Sequence, residues 1–349
     1  MSAEGVQAAP PAPEPLLEVQ GLEMHFPVTK GVFFPQEVAR IRAVNGVDFT
    51  LRPGETLGLV GESGCGKSTT ARAVLQLHRP TAGRVSFQGQ DLCRLAGEPL
   101  RQLRRNLQMI FQDPFASLDP RWTVAAIVAE PLRNFGVASG AALREKVEQL
   151  MLTVGLDPAW AGRYPHEFSG GQRQRIGIAR ALALDPQVIF CDEPVSALDV
   201  SIQAQIVNLL AELQERLGLA YVFIAHDLAV VRHISHRVAV MYLGRIVETA
   251  GRREIVEETR HPYARALLGA VPIPDPKLER ARQRVLLEGN LPSPAEARQG
   301  CDFAGRCPLR PKVERDQRCT RERPQLLPLA GDPRHLVACH YHEQADLVG

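Results

Sequence analysis

A glycine-rich loop that ends in Lys67 and Ser68 is the clearest chemical feature of this sequence of 349 residues. Residues 61–68 read GESGCGKS and fit the pattern G-x(4)-G-K-[ST]. They follow the strand-like run TLGLV and precede the helical run TTARAVLQL, which is the context that a phosphate-binding loop requires. Backbone N–H groups of such a loop point inward at a phosphate, and the helix adds its positive end. Lys67 is expected to reach the phosphates and Ser68 to hold Mg²⁺. The alternative is a glycine-rich turn that ends in Lys-Ser by chance and binds no phosphate.

Two acidic residues, Asp192 and Glu193, end the apolar run VIFC. Ligands of parallel sheets bind at the carboxyl ends of the strands, so Asp192 is expected to hold Mg²⁺ and Glu193 to polarise an attacking water. Without the glycine-rich loop, the alternative is that these two acids lie in solvent at the end of a strand and bind nothing. His226 ends another apolar run, YVFIA, where a histidine satisfied in the core is as consistent with the sequence as a catalytic one.

A second serine- and glycine-containing helix start lies at Phe168–Gln172, with the sequence FSGGQ. It precedes the helical run RQRIGIARALAL and therefore offers a second anion site at a helix N-terminus. An N-cap Ser169 followed by flexible glycines is the structural alternative.

Six motifs in chain order resemble those of the ATP-binding subunit of ABC transporters. They are residues 61–68, Gln112, residues 169–172, Asp192-Glu193, Ser196–Asp199 and His226, and the resemblance runs from about residue 16 to residue 261. The resemblance implies that Gln112, Glu193 and His226 serve ATP hydrolysis and that Ser68, Gln112 and Asp192 hold Mg²⁺. It also implies that an aromatic residue upstream of the loop stacks on adenine. The implied nucleotide-contacting residues are Phe26, Gly61, Ser63, Gly64, Cys65, Gly66, Lys67, Ser68, Thr69, Gln112, Asp192, Ser169, Gly170, Gly171, Gln172 and Asp199.

One of these assignments has rival residues, and one motif departs from the family pattern. Phe33 and Phe34 are rivals of Phe26 for the adenine-stacking position. The signature begins with Phe168 where the family more often has leucine, and this residue is expected to pack without loss of function.

The alternation of short apolar runs with helical segments predicts a largely parallel sheet covered on both faces. The residues 202–217 show the helical period clearly, with apolar side chains at three- and four-residue steps. With the resemblance, the expected fold is an α/β P-loop NTPase of the ABC type. It comprises a mostly parallel core sheet, an antiparallel β subdomain, a helical subdomain and a small loop-rich C-terminal extension.

Three segments are predicted along the chain: a disordered leader at 1–15, an ATP-binding domain at 16–260 and an extension at 261–349. The extension contains 11 of the 27 prolines, which predicts a loop-rich structure. A hydrophobic content of 45%, a charged content of 23% and a net charge of +2 are ordinary for a globular protein. They exclude a wholly disordered or coiled-coil chain and give no indication of a nucleic-acid partner. The sequence shows no apolar run of about 18 residues and no export signal, which predicts a protein kept inside the cell.

The C-terminal part narrows the resemblance to dipeptide and oligopeptide importer ATPases. His261-Pro262-Tyr263, the run ARALLGAVP and the Pro- and Cys-rich tail are similar to their C-terminal extension. The extra loop around Lys30–Val38 and the run Met109–Arg121 are similar to the second of their two ATPase subunits. This resemblance implies ATP-driven peptide import by a protein at the cytoplasmic face of the cell membrane.

The same resemblance implies the partners. They are an identical or homologous ATPase subunit in a head-to-tail dimer, two integral membrane permease subunits and, indirectly, an extracytoplasmic peptide-binding protein. One phosphate loop and one signature per chain fit this dimer, in which each nucleotide is closed in by the partner's signature. The alternatives are a soluble ABC-type ATPase of a non-transport assembly, an importer subunit for another small solute such as nickel, and a regulatory module that binds ATP without hydrolysing it.

Four cysteines near the C-terminus have the spacing C-x(5)-C-x(11)-C-x(19)-C. In a reducing compartment such a group indicates metal ligation before disulfides. Four thiolates suit zinc or a [4Fe–4S] cluster, and the absence of tight C-x(2)-C pairs favours the cluster, which some similar importer ATPases carry. Plain reduced thiols are the third possibility. A shortage of apolar residues and an excess of prolines also favour a metal as the element that orders this tail. The residues concerned are Cys301, Cys307, Cys319 and Cys339, with His335, His340 and His342 as substitutes for a missing ligand.

Overall fold

A computed structural model describes residues 14–31, 36–270, 287, 291–293, 295–296 and 299–348. In these residues the chain forms two β-sheets with helices packed around them. The predicted leader lies almost wholly outside the described residues. The strands are β1 (Leu17–Lys30), β2 (Gln36–Leu51), β3 (Thr56–Val60), β4 (Ala82–Phe87), β5 (Gln90–Asp91), β6 (Leu107–Ile110), β7 (Val188–Asp192), β8 (Ala220–Ala225), β9 (Arg237–Tyr242), β10 (Arg245–Gly251), β11 (Leu327–Leu329) and β12 (Asp332–Val337).

The helices fall at the positions that the apolar periodicity indicates, but some helices end before the periodic stretch of sequence ends. The run after the glycine-rich loop, for example, is helical only to Val74, and Gln76 then turns with a positive φ of 56°. The helices are α1 (Lys67–Val74), α2 (Gly97–Arg104), α3 (Val124–Asn134), α4 (Gly140–Thr153), α5 (Gly170–Leu182), α6 (Val200–Leu217), α7 (Leu228–Ile234), α8 (Glu254–Glu257), α9 (Pro262–Ala270), α10 (Arg310–Val313) and α11 (Arg318–Arg321).

The larger sheet has the strand order β11-β12-β10-β9-β3-β8-β7-β6. Strands β6, β7, β8, β3 and β9 are parallel to one another, whereas β10, β12 and β11 continue the sheet in antiparallel pairs. Strands β3, β7 and β8 are buried along their whole length. That is why they read as continuous apolar runs, since helices cover both faces of a parallel sheet.

The smaller sheet has the order β2-β1-β4-β5, and all its pairs are antiparallel. Helices α3, α4 and α5 form a separate group that packs mainly on itself. The predicted fold class is therefore confirmed: a mostly parallel core sheet, an antiparallel β subdomain and a helical subdomain.

The C-terminal residues join the larger sheet. Glu248 and Thr249 of β10 pair with Val337 and Leu336 of β12. Apolar side chains of this region, including Phe303 at 1% exposure, are buried in the core. The described part of the tail therefore packs on the core sheet, and the expectation that a metal orders the tail stays a prediction. In the part of the chain that the structure describes, no helix combines the length and the apolar character needed to span a membrane.

Candidate active site

The glycine-rich loop joins β3 to α1, as the sequence predicts. Gly66 precedes the helix with φ of 108°, and a Cβ atom there would lie 2.1 Å from the Ala43 carbonyl oxygen. Only glycine fits this position, because both the conformation and the close approach exclude a side chain. No side chain caps the N-terminus of α1, so its first N–H groups are available to an anion.

Lys67 lies over this loop. Its ammonium group donates hydrogen bonds to the carbonyl oxygens of Gly61, at 2.8 Å, and Glu62, at 3.0 Å. Ser63 and Gly64 are exposed at the tip of the loop, and Thr69 is half-buried in α1.

Cys65, in contrast, points into the core, and burial raises the pKa of its thiol. Its backbone can line the phosphate site while its side chain takes no part in chemistry.

Ser68 and Asp192 form the predicted Mg²⁺ site. The Ser68 hydroxyl donates to Asp192 Oδ1 at 2.6 Å. Asp192 is fully buried, and burial raises the pKa of its carboxyl. Its Oδ2 atom has no hydrogen-bond partner among the described residues, although the Arg72 guanidinium lies 4.0 Å away. A buried carboxylate oxygen beside a hydroxyl is the type of donor set that Mg²⁺ and its water ligands prefer, so these residues fit the ion.

Two predicted catalytic residues, Gln112 and His226, converge on the carboxylate of the third, Glu193. Gln112 Nε2 donates to Glu193 Oε2 at 2.8 Å, and His226 Nδ1 lies 3.7 Å from the same oxygen. Asp192 pairs with Ile224 across the parallel strands β7 and β8, which places the residues that follow the two strands side by side. The His226 side chain is 58% exposed, so it is not the satisfied core histidine of the alternative. Glu193 has φ of 44°, a left-handed conformation that is uncommon for a non-glycine residue.

The signature residues 169–172 start α5. Ser169 and Gln172 satisfy each other in a capping box: the serine hydroxyl accepts the Gln172 N–H at 3.4 Å, and the glutamine oxygen accepts the Ser169 N–H at 2.9 Å. Gly171 allows a close approach to α6, because a Cβ atom there would lie 2.5 Å from Ile202 Cγ2. A Cβ atom at Gly170 would likewise come within 3.0 Å of Leu198. Within the described residues, none of the hydrogen bonds of 169–172 reaches the phosphate loop.

Asp199 and Phe26 lie at the edges of the predicted site. Asp199 is exposed at the N-cap position of α6 and forms no side-chain cap. The Phe26 ring contacts the ring of His78 edge to face, at a centroid distance of 5.9 Å. His78 follows the C-terminal end of α1, whereas the phosphate loop precedes its N-terminal end. The rival residues Phe33 and Phe34 lie outside the described residues.

The four C-terminal cysteines lie near one another. Burial raises the pKa of Cys301 to about 11 and the pKa values of Cys319 and Cys339 to about 12, and the neighbouring thiols contribute to each of these shifts. Burial also raises the pKa of Cys307. The backbone joins two of these cysteines directly, since the Cys301 N–H donates to the Cys319 carbonyl at 2.7 Å. Among the described residues, however, no three His, Cys, Asp or Glu side chains have the arrangement that a single metal ion needs.

The histidines proposed as substitute ligands are engaged elsewhere. His335 is 1% exposed and its Nε2 lies 2.7 Å from an oxygen of the fully buried Glu248. His340 Nε2 and His342 Nδ1 lie 3.0 Å from backbone carbonyl oxygens, those of Glu322 and Cys339. The Glu248–His335 pair holds β12 to β10.

Sequence reasoning missed two contacts of Glu62, the second residue of the phosphate loop. Its carboxylate pairs with Arg306, and its N–H donates to the Tyr263 hydroxyl. Tyr263 belongs to the His-Pro-Tyr run that the sequence does single out, but nothing in the residue pattern connects it with the loop.

Comparisons with known proteins agree with this geometry. Residues 44–196 match the family described as ABC transporter, and residues 247–313 match the oligopeptide/dipeptide transporter C-terminal region. The chain is 51% identical to the oligopeptide transport ATP-binding protein AppF of Bacillus subtilis, over 94% of this chain and 98% of AppF. It is 53% identical to OppF of Salmonella typhimurium, over 93% of this chain and 95% of OppF.

Solved structures show the same fold. A dimeric post-hydrolysis structure of the ATP-binding cassette MJ0796, bound to ADP and Pi, superposes with a TM-score of 0.60 at 29% identity. The match covers 68% of this chain and 99% of the cassette.

Proposed function

Since this chain belongs to the ABC transporter family and to its oligopeptide transport ATP-binding branch, we propose that it binds and hydrolyses ATP to power peptide import. The observation that carries the proposal is the convergence of Gln112 and His226 on Glu193, beside the Ser68–Asp192 pair. This arrangement puts a general base next to a metal site and a phosphate loop, which are the parts that phosphoryl transfer to water needs.

The residues divide the work of hydrolysis. Lys67 and the N–H groups of the loop would hold the β- and γ-phosphates. Ser68 and Asp192 would hold Mg²⁺, which would supply positive charge beside the phosphate oxygens. Glu193 Oε2 accepts a proton from water as the water oxygen bonds to the γ-phosphorus and the bond to the β–γ bridging oxygen breaks. Gln112 donates to the same carboxylate oxygen and orients it, and the exposed His226 is placed to contact the γ-phosphate. Phe26 is the proposed contact of the adenine ring, as the resemblance implies.

A second ATPase subunit completes the site in this proposal. The signature residues 169–172 form no hydrogen bond with the phosphate loop within the described residues, and Asp199 and Val200 are exposed next to them. Val200 is 82% exposed, so this end of α6 is open to a partner. In a head-to-tail dimer, the signature of one subunit would supply N–H groups to the γ-phosphate held by the other.

Two permease subunits are the proposed membrane partners. A groove of about 510 Å³ lies between the core sheet and the helical group, next to the Gln112 segment. Its lining includes Leu77 and Phe111, which are 48% and 38% exposed, and Phe135. A permease segment seated there would sense movement of Gln112 as the nucleotide binds and leaves. The chain would then act at the cytoplasmic face of the membrane, with a peptide-binding protein engaged on the other side.

Purification and uptake assays test this proposal. Tagged protein from a native membrane extract should co-purify with integral membrane permeases. A soluble ABC-type ATPase of a non-transport assembly would not co-purify with them. A strain that lacks the gene should lose uptake of labelled di-, tri- or longer peptides and regain it with the wild-type gene. Regained uptake of nickel but of no peptide would contradict the peptide substrate class.

A [4Fe–4S] cluster at Cys301, Cys307, Cys319 and Cys339 is proposed separately. Its support is the chemistry of four cysteine side chains in one region, and the described residues do not bring three ligands into the arrangement that a single metal ion needs. Thiolates are the ligands that iron–sulfur clusters and zinc select. Such a cluster would play a structural role in the C-terminal region. Iron, sulfide and zinc assays on anaerobically purified protein decide among the cluster, zinc and reduced thiols, and the finding of none of these elements would rule out both metal centres.

A further inference from the structure

Glu62, the second residue of the phosphate loop, is held by the C-terminal region. Its carboxylate accepts two hydrogen bonds from the Arg306 guanidinium, at 2.9 and 3.1 Å. Its backbone N–H donates to the Tyr263 hydroxyl at 2.8 Å, and its carbonyl oxygen accepts from Lys67 Nζ at 3.0 Å. One residue thus links the C-terminal region to the lysine that the phosphates require.

Both groups that hold Glu62 have fixed surroundings. Tyr263 is fully buried in α9, and the Arg306 side chain is only 9% exposed. Phe303, which is 1% exposed, contacts the rings of Tyr263 and Tyr242 at centroid distances of 5.5 and 5.2 Å. The Arg306 N–H donates to the Phe303 carbonyl at 3.0 Å, so this aromatic cluster also fixes the turn that carries Arg306.

We propose that Arg306 and Tyr263 are positioning residues of the phosphate loop and act on nucleotide affinity through Glu62. The inference rests on the proposed ATPase function. A forked pair between a guanidinium and a carboxylate fixes orientation as well as distance, and the buried hydroxyl fixes the backbone of the same residue. Together they place the Glu62 carbonyl, and with it the Lys67 ammonium. Arg306 also neutralises a carboxylate that would otherwise repel the phosphates.

This pairing explains why an acidic residue is tolerated inside an anion-binding loop. Arginine is always charged in proteins, and hydrogen bonding to Glu62 raises the pKa of Arg306 further. Because Arg306 lies between Cys301 and Cys307, the same contact ties the four-cysteine region to the nucleotide site.

Nucleotide titrations of the full-length protein test the proposal. The probe is a fluorescent ATP analogue, and the variants are Arg306→Met, Arg306→Lys and Tyr263→Phe. We expect Arg306→Met to raise the Kd about ten-fold, because a hydrogen-bonded charge is left without its partner. Arg306→Lys should raise it less, since the charge remains and only the fork is lost. The KM for ATP should rise in parallel, whereas the rate at saturating ATP should stay within about two-fold of wild type, because Gln112, Glu193 and His226 are untouched.

Two control variants remove comparable groups elsewhere. Arg318→Met breaks an exposed pair with Glu322 in the same C-terminal region. Tyr221→Phe removes a buried hydroxyl that has no hydrogen-bond partner among the described residues. Neither control should change the Kd.

The outcomes separate the two levels of inference. Nucleotide affinity within two-fold of wild type in folded Arg306→Met and Tyr263→Phe would overturn the positioning role while leaving the ATPase function in place. If Arg306→Met does not fold, Arg306→Lys and Tyr263→Phe decide, with circular dichroism as the check of folding. Wild-type protein that binds no ATP analogue would instead contradict the proposed function itself.

Discussion

Ser68 and Asp192 lie 124 residues apart in the sequence, and a hydrogen bond of 2.6 Å joins the serine hydroxyl to the carboxylate. Ser68 belongs to the first turn of α1, and Asp192 ends the buried strand β7. Burial raises the pKa of Asp192, so the carboxylate is costly in the absence of a cation. A divalent ion at this position would offset that cost, because it supplies the positive charge that a buried carboxylate needs.

Replacement of Glu193 by glutamine should separate nucleotide binding from hydrolysis. Glutamine keeps the size of the side chain and its contact with Gln112 but cannot accept a proton from water. We expect ATP turnover to fall about 10²- to 10⁴-fold while the Kd for the ATP analogue stays close to that of wild type. Phosphate-release assays on the assembled transporter measure the effect. Glu212→Gln, an exposed site on α6, is the control, and unchanged turnover in Glu193→Gln would remove Glu193 from the role of base.

Lys67→Ala should abolish nucleotide binding rather than slow the chemistry. The ammonium group lies over the loop between the carbonyl oxygens of Gly61 and Glu62, and only a charged donor there can balance a desolvated phosphate. Equilibrium titration with the fluorescent ATP analogue should show at least about a hundred-fold loss of affinity. Lys146→Ala is the control: it breaks an ion pair with Asp185, and it should bind the ATP analogue as wild type does. Tight ATP binding by Lys67→Ala would contradict the assignment of the loop.

The geometry at Glu193 was accessible from the sequence because it depends on strand ends. Strands β3, β7 and β8 each read as an apolar run, and polar residues follow each run at the same edge of a parallel sheet. Because β3, β8 and β7 are neighbours in the sheet, the segments that carry Lys67, His226 and Glu193 leave it at one edge. The residue pattern alone left His226 open between a core and a catalytic role, and the role of Gln112 came only from the resemblance.

The contacts of the C-terminal region were not accessible in this way. Arg306 and Glu62 are separated by 244 residues, and neither lies in an apolar pattern that fixes its neighbour. The pairing of β12 with β10 is accompanied by the buried Glu248–His335 contact, and in the sequence these are two isolated polar residues. The position of His335 also explains why it is not a spare ligand for the cysteines. Such contacts depend on tertiary packing, which no periodicity records.

Two glycines of α5 should respond oppositely to the same substitution. A Cβ atom at Gly171 would lie 2.5 Å from Ile202 Cγ2, whereas a Cβ atom at Gly177 has no atom within 4 Å. Gly171→Ala should therefore lower the free energy of unfolding by about 1–3 kcal/mol through overpacking against α6. Gly177→Ala should raise it by up to about 1 kcal/mol, because alanine is the better helix former. Urea unfolding measures both, and equal effects of the two substitutions would contradict the close packing of α5 on α6.

His261 should make the protein lose stability in acid. It is 1% exposed, and burial lowers its pKa from 6.5 to about 3. Between these two values the unfolded chain binds a proton that the folded chain does not, so the free energy of unfolding falls as the pH falls below about 6.5. His261 Nδ1 accepts the Tyr263 N–H at 3.1 Å, and asparagine can replace that acceptor. In urea unfolding from pH 7 to pH 4, His261→Asn should therefore show a shallower loss than wild type, by up to about 1.4 kcal/mol per pH unit. Parallel curves for the two proteins would show that His261 does not stay neutral in the fold.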